Sequence, residues 1–236
     1  MTQPLHIGIV ACSAEGAALC YRTICAEGQA AMGRHAHPEV TMHTHSLAEY
    51  MKAIERDDWA RVAELMLASA RKLQTCGADF LISPDNTIHR AFAQVAAASP
   101  LPWLHIAEEV AAAAREHGYR KLAITGTRYT MEGPVYPEVL GKCGIAWQAP
   151  SPLDRGRIHQ IIFDELTYGI LRSESLGVLL TIVSRMKAEG CDAVALGCTE
   201  LPLILTNENS PLPVLDSTRL LARAALRKAT QGLPAL

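Results

Sequence analysis

A short segment occurs twice in this chain, and that repetition constrains the fold more than any other feature. Gly77-Ala-Asp-Phe-Leu-Ile-Ser-Pro-Asp85-Asn-Thr87 returns, weakly disguised, as Gly190-Cys-Asp-Ala-Val-Ala-Leu-Gly-Cys198-Thr-Glu200. Gly190 follows Gly77, and Cys198 follows Asp85, by the same 113 positions. Fixed-offset self-similarity marks a duplicated unit, here a pseudo-symmetric pair and not a solenoid. Each copy is a Gly-x-Asp lead-in, an apolar strand and a reactive polar residue at the strand's end. Two such strand ends facing each other across a pseudo-two-fold axis place one proton-transferring group on each side of a substrate. Stereochemical inversion needs that arrangement, so the duplication points to chemistry.

The rest of the chain alternates strand and helix. His6 to Ala11 reads as a buried strand, Ala14 to Met32 as a helix and Glu39 to Thr44 as a second strand. Helical spacing follows over Leu47 to Ile54 and Trp59 to Thr75, with Gly77 as the stop. Asp79 to Ser83 is the third strand, Thr87 to Ala98 a helix, and Pro100 to His105 a short strand. The pattern restarts with a strand at Lys121 to Thr125, a helix near Met131 to Lys142 and a strand at Ile145 to Gln148. Helices at Arg157 to Arg172 and Glu174 to Glu189, strands at Asp192 to Leu196 and Pro213 to Asp216, and a helix at Thr218 to Ala229 complete it. Alternation of this kind implies an α/β fold of two pseudo-symmetric domains, each a parallel sheet flanked by helices. The expected division is 1–105 and 106–212, with 213–236 returning to the first half. Ligands in such sheets sit at the carboxyl ends of strands. That edge carries Ser13, Asp85-Asn86-Thr87, Gly126-Thr127 and Cys198-Thr199-Glu200.

Bulk properties narrow the function classes. Of 236 residues, 49% are apolar and 19% charged, which supplies a core and excludes disorder. A net charge of −2 without a basic run argues against a nucleic-acid partner. No apolar stretch is long enough to cross a bilayer, and the amino terminus lacks the regions of a signal peptide. Seven cysteines form no paired framework, so a reducing cytoplasm with free thiols is the expected setting.

Cys198 ends a buried strand and is expected to open a helix, where free amides and the helix dipole favour a thiolate. The competing reading is a small buried apolar residue, which fits Cys20, Cys25, Cys76, Cys143 and Cys191. Asp85 reads equally as an N-cap, its carboxylate accepting amides of its own helix. Asn86, Thr87 and Thr199 can cap helices or hold a substrate carboxylate at helix amino termini. Ser13, beside Glu15 and Gly16, carries the same two readings. His35-Ala-His37 and His43-Thr-His45 invite a metal, but no Cys or carboxylate spacing completes a zinc pattern, so no metal is expected. Bound zinc there would imply a metal-assisted hydrolase. No glycine-rich phosphate loop is present, so nucleotide binding lacks support.

At these residues the chain resembles the aspartate/glutamate racemase family, in its cofactor-independent aspartate racemase branch. The likeness spans essentially the whole chain. That family carries Cys-Asn-Thr in its first half and Gly-Cys-Thr-Glu in its second; here these are Asp85-Asn86-Thr87 and Gly197-Cys198-Thr199-Glu200. Gly126 to Met131, Ile158 to Leu166 and Leu215 to Thr218 match further motifs. The resemblance implies a cleft between the domains holding the active site, frequent homodimers, no cofactor, and two-base inversion by opposed thiols. It implies Cys198 and Asp85 as the catalytic pair. Ser13, Asn86, Thr87, Thr127, Thr130, Thr199 and His45 are the expected contacts of a small carboxylate substrate, possibly an amino acid.

Two departures from the family pattern bear on mechanism. A carboxylate, with a reference pKa of about 3.9, is a weaker base than a thiolate, so symmetric racemisation does not follow automatically. Desolvation that kept the carboxyl neutral would let it act as the opposing donor. Where aspartate-specific members carry basic residues, this chain has His43-Thr44-His45-Ser46 and Thr167-Tyr168. Histidine grips a carboxylate only when protonated, so a neutral or smaller distal group is expected on the substrate. The expectation is a racemase-like isomerase with Cys198 as principal acid/base. Its rivals are a decarboxylase or lyase using Cys198 as proton donor, and a ligand-binding module without turnover.

Overall fold

The computed structural model describes residues 3–233. Its elements in chain order are β1 (Ile7–Ala11), α1 (Ala14–Met32), β2 (Val40–Thr44), α2 (Leu47–Ile54), α3 (Trp59–Thr75), β3 (Phe80–Ile82), α4 (Phe92–Ala98) and α5 (Ile106–Glu116). There follow β4 (Lys121–Gly126), α6 (Arg128–Met131), α7 (Val135–Lys142), β5 (Ala146–Gln148), α8 (Pro152–Asp164), α9 (Ser173–Ala188), β6 (Ala193–Gly197), β7 (Val214–Asp216) and α10 (Ser217–Thr230). The chain divides into two compact units, 1–106 with 218–236, and 107–217.

The first unit holds a parallel sheet in the order β2-β1-β3. Ile7 and Ile9 of β1 pack with Phe80 and Ile82 of β3, with Cys20 and Ile24 of α1, and with Leu221, Ala222 and Ala225 of α10. The second holds a parallel sheet in the order β5-β4-β6-β7. Its core joins Val194 and Leu196 of β6 to Ile158 and Ile162 of α8 and to Leu179, Ile182 and Val183 of α9. Both β1 and β6 are buried along their whole length, which is why they read as continuous apolar runs instead of alternating ones.

The Gly-x-Asp lead-in now has a physical cause in both copies. Gly77 and Gly190 adopt φ of 90° and 91°, a left-handed turn after a helix that side chains resist. Two residues on, Asp79 accepts the His6 amide at 2.7 Å, and Asp192 accepts the Arg120 and Lys121 amides at 2.7 and 3.1 Å. Each carboxylate thus ties the start of its own strand to the start of the neighbouring one.

Four expectations need correction. The strand expected at Pro100 to His105 is reduced to a single bridge between Leu81 and Trp103, because Pro100 and Pro102 have no N–H to donate to a ladder. The segment 213–217, expected with the first half, instead supplies β7 to the second sheet, Leu215 pairing with Ala195; residues 234–236 lie outside the described residues. The helix expected over Met131 to Lys142 is broken into α6 and α7 around Gly133-Pro134. The helix expected over Arg157 to Arg172 starts earlier, with Ser151 as N-cap and Pro152 in the first turn, and ends at Asp164.

Candidate active site

At the carboxyl edge of the first sheet, register aligns three of the residues that matter. Ile7 stands beside Val40 on one side and Phe80 on the other, and Ile9 beside Ile82. Carried to the strand ends, the same register sets His45, Cys12 and Asp85 in one row. Asp85 reaches across this row: its two carboxylate oxygens accept the Cys12 and Ser13 amides, each at 3.1 Å. Those amides lie just ahead of α1, a 19-residue helix whose N-cap is Ser13, with its hydroxyl accepting the Gly16 amide at 3.3 Å. The carboxylate therefore sits where the amino-terminal dipole of a long helix favours an anion. Asp85 thus binds the turn after the neighbouring strand, a role that the capping reading did not include.

Asn86 is buried and Thr87 half-buried, at the start of a 3-10 turn from Thr87 to Ala91 that precedes α4; the Asn86 side chain forms no cap on it. A residue that sequence reasoning passed over fixes this loop. His89 is 3% exposed; its Nδ1 lies 2.9 Å from the Asp85 carbonyl, and its Nε2 accepts the Ile106 amide at 3.3 Å. An Nε2 that accepts leaves the proton on Nδ1, which donates to Asp85. Burial, then the charge of His105, push the His89 pKa well below the usual histidine value, so the ring is neutral. Only its placement two residues after Thr87 hinted at this role.

His45 is half-buried, with Nδ1 3.9 Å from Glu49 and its ring 4.9 Å from that of His43. His43 bonds Ser69 at 2.9 Å and Lys72 at 2.8 Å, and its pKa is lowered by burial first and by Lys72 next. These histidines are engaged in side-chain pairs, and among the described residues no cluster of three or more His, Cys, Asp or Glu has a metal-holding arrangement.

The second sheet repeats the layout with different groups. Gly126 pairs with Gly197, so Thr127 and Cys198 follow side by side. Both glycines are required by space: a Cβ on Gly126 would lie 2.6 Å from the Gly197 carbonyl oxygen, and one on Gly197 2.8 Å from the Thr130 methyl. Thr130 is buried, and its hydroxyl lies 3.4 Å from that of Thr127. His159 accepts the Arg128 amide at 3.3 Å and has its pKa lowered by burial and then by Arg128. A neutral imidazole holds this loop as another holds the Asp85 loop.

Cys198 is 8% exposed, and its thiol donates to the Glu200 carboxylate at 2.9 Å. The Thr199 hydroxyl donates to the same oxygen at 2.7 Å. The expected helix does not begin here; a three-residue 3-10 turn, Leu201–Leu203, follows, so no long helix dipole acts on the sulfur. The local charge on Cys198 comes instead from Glu200, itself only 6% exposed. Thr199 is accordingly a partner of Glu200 and not a helix cap. Glu200 was visible in the sequence only as part of a motif, because a carboxylate two residues from a cysteine has no distinctive spacing.

A family model for Asp/Glu/hydantoin racemases matches residues 9–225. The chain belongs to that family. It is an isomerase of the racemase type. A broad specificity amino-acid racemase, RacX, from Bacillus subtilis (strain 168) is 24% identical over 172 residues, 72% of this chain and 73% of RacX. A crystal structure from Yersinia pestis assigned to the Asp/Glu racemases superposes with a TM-score of 0.89 at 30% identity, covering 96% of this chain and 100% of that one. An aspartate racemase homologue from Pyrococcus horikoshii OT3 superposes with a TM-score of 0.84 at 25% identity, covering 98% and 100%.

Proposed function

We propose that this racemase-family enzyme moves the α-proton of a small amino acid without a cofactor, with Cys198 as its principal acid/base. The Cys198–Glu200 contact at 2.9 Å carries this reading. A free thiol, with a reference pKa of about 8.5, is mostly protonated at neutral pH. A buried carboxylate at hydrogen-bond distance can take that proton as the sulfur takes one from the substrate's α-carbon. The electron pair left on the α-carbon spreads into the substrate carboxyl group, which Thr127, Thr130 and Thr199 are suited to hold.

The distal group of the substrate is read as uncharged. His43, in the region where aspartate-specific members are expected to carry a permanent cation, is pushed toward neutrality. His45 beside it offers a hydrogen bond and not a fixed charge. The name of the Bacillus relative, a broad specificity racemase, agrees with a site not built around one acidic side chain. The reading includes a second copy of this chain as partner; light scattering at twice the 25.5 kDa chain mass would support it, and a monomer mass would remove it.

The test is solvent exchange. Single enantiomers of alanine, serine, glutamine and aspartate are incubated in deuterated water and followed at the α-position. Deuterium uptake by the wild type that vanishes in Cys198→Ala supports the assignment. Absence of uptake from every amino acid counts against it, and carbon dioxide release from a malonate-type acid would indicate decarboxylation instead.

A further inference from the structure

The two faces of the first sheet differ in a way that burial alone does not explain. One face, with Ile7, Ile9, Phe80 and Ile82, is apolar throughout, as a covered parallel sheet should be. Side chains alternate along a strand, so the other face collects His43 and His45, Cys12, and Ser83 and Asp85 where the register is carried to the strand ends. Helix α3 covers this polar face, its Ser69 hydroxyl meeting His43 at 2.9 Å. Tyr50 of α2 stands at the carboxyl end, its ring 6.5 Å from that of His45.

Three polar atoms on or against this face lack a partner among the described residues. Tyr50 is fully buried, yet its hydroxyl has no well-formed hydrogen bond, although Ser69 lies beside it. Ser83 is also fully buried, with its hydroxyl unbonded, and the Nε2 of His45 is the third such atom. Buried polar atoms are nearly always satisfied, so three on one face mark a place that receives polar atoms from outside the fold. The kind of group follows from what each atom offers. Burial first, then Cys12 and Asp85, hold Tyr50 as a neutral phenol, which can donate. The Glu49 carboxylate lies 3.9 Å from Nδ1 of His45, which favours the proton on that nitrogen and leaves Nε2 to accept. Asp85 shares the row, so a second carboxylate placed there would meet a like charge. A donor and an acceptor beside an anion match a primary carboxamide, which has one carbonyl oxygen and one NH2 group.

We propose that the first unit binds a primary carboxamide at this face, Tyr50 donating to its carbonyl oxygen and His45 Nε2 accepting from its nitrogen. Ser83 adds a second donor on the floor of the same face. The His45 side chain keeps 18% of its surface exposed, so the row is reached from solvent at the carboxyl edge of the sheet. Every group involved belongs to the first unit, and the site is complete within it. The proposal goes beyond the racemase reading and does not rest on it, because binding is measured without turnover.

The experiment titrates the full chain, with its histidines labelled with nitrogen-15, with propionamide, propionate and propan-1-ol, and follows the imidazole nitrogens by NMR. Propionamide should shift the His45 Nε2 resonance saturably, while propionate leaves it in place. Tyr50→Phe should weaken propionamide binding by about 5-fold, the scale of one lost neutral hydrogen bond. His45→Phe, followed on the ring protons of Tyr50, should weaken it at least as much. The Tyr50 hydroxyl has no bond to lose inside the fold, so Tyr50→Phe should unfold in urea at the wild-type concentration or above it. A clearly destabilised Tyr50→Phe would show that the hydroxyl is bonded within the protein, and that overturns the proposal. So does the absence of a saturable shift with propionamide, which would leave buried water as the partner of these atoms. Equal binding of propionate or propan-1-ol overturns the carboxamide assignment. None of these results bears on α-proton exchange, so this proposal and the racemase reading fail separately.

Discussion

Replacing Asp85 by asparagine tests the clamp at the carboxyl edge of the first sheet. The carboxylate accepts two amides at 3.1 Å, one on each oxygen. Asparagine keeps the shape but offers a single acceptor oxygen, so one of the two amides then faces an NH2 group. Leaving one such donor unpaired costs about 1–3 kcal/mol. Removing the anion from the amino terminus of α1 adds about 0.3–1 kcal/mol. Asp85 is half-buried, which favours the lower part of the combined range, so about 2 kcal/mol is expected. The readout is local: hydrogen exchange at the Cys12 and Ser13 amides, measured by NMR under native conditions. A destabilisation of about 2 kcal/mol corresponds to roughly 30-fold faster exchange at these two sites. Amides of the second sheet, such as those of Val194 and Leu196, should be unchanged. Exchange at Cys12 and Ser13 within about two-fold of the wild type, less than 0.5 kcal/mol, would refute the clamp.

Other perturbations have equally definite outcomes. Glu200→Gln retains an acceptor for the Cys198 thiol but cannot take its proton, so α-deuterium uptake should fall by about 100-fold, the low end for a lost acid/base; an unchanged rate would remove Glu200 from the mechanism. His89 has a lowered folded-state pKa, so its contribution to stability is complete above the unfolded value of about 6.5 and is lost as pH falls below it. In urea unfolding, the wild type should lose up to about 1.4 kcal/mol per pH unit through this group below pH 6.5. His89→Gln should lessen that slope by no more than one site's share, because His43 and His159 are shifted in the same direction. An unaltered slope would show that His89 is not held neutral.

How far the sequence could be read followed from the range of the interactions involved. The strands are legible because a parallel sheet covered on both faces demands continuous apolar runs, and β1 and β6 supply them. The repeat was legible because Gly77 and Gly190 must each turn left-handed, and Asp79 and Asp192 must each tie two strand starts together. What failed was local chemistry decided by other segments. Cys198 looked like the first residue of a helix, but Pro202 and the short turn around it leave the sulfur to Glu200. Read as a cap for its own helix, Asp85 gave no sign that it accepts two amides more than seventy residues away in sequence, which no spacing rule reveals. Cys12 was invisible for the same reason: only the register of three strands sets it beside Asp85.

The return of α10 to the first sheet governs how this chain can be assembled. Leu221, Ala222, Ala225 and Ala229 complete a core that begins with Ile7 and Ile9, while every strand of the second sheet lies between those two contributions. During synthesis the second unit can finish folding while the first still lacks one wall. The nascent protein thus waits on its final helix, and a truncation there would expose the hydrophobic floor beneath β1 while leaving Cys198 and its neighbours built.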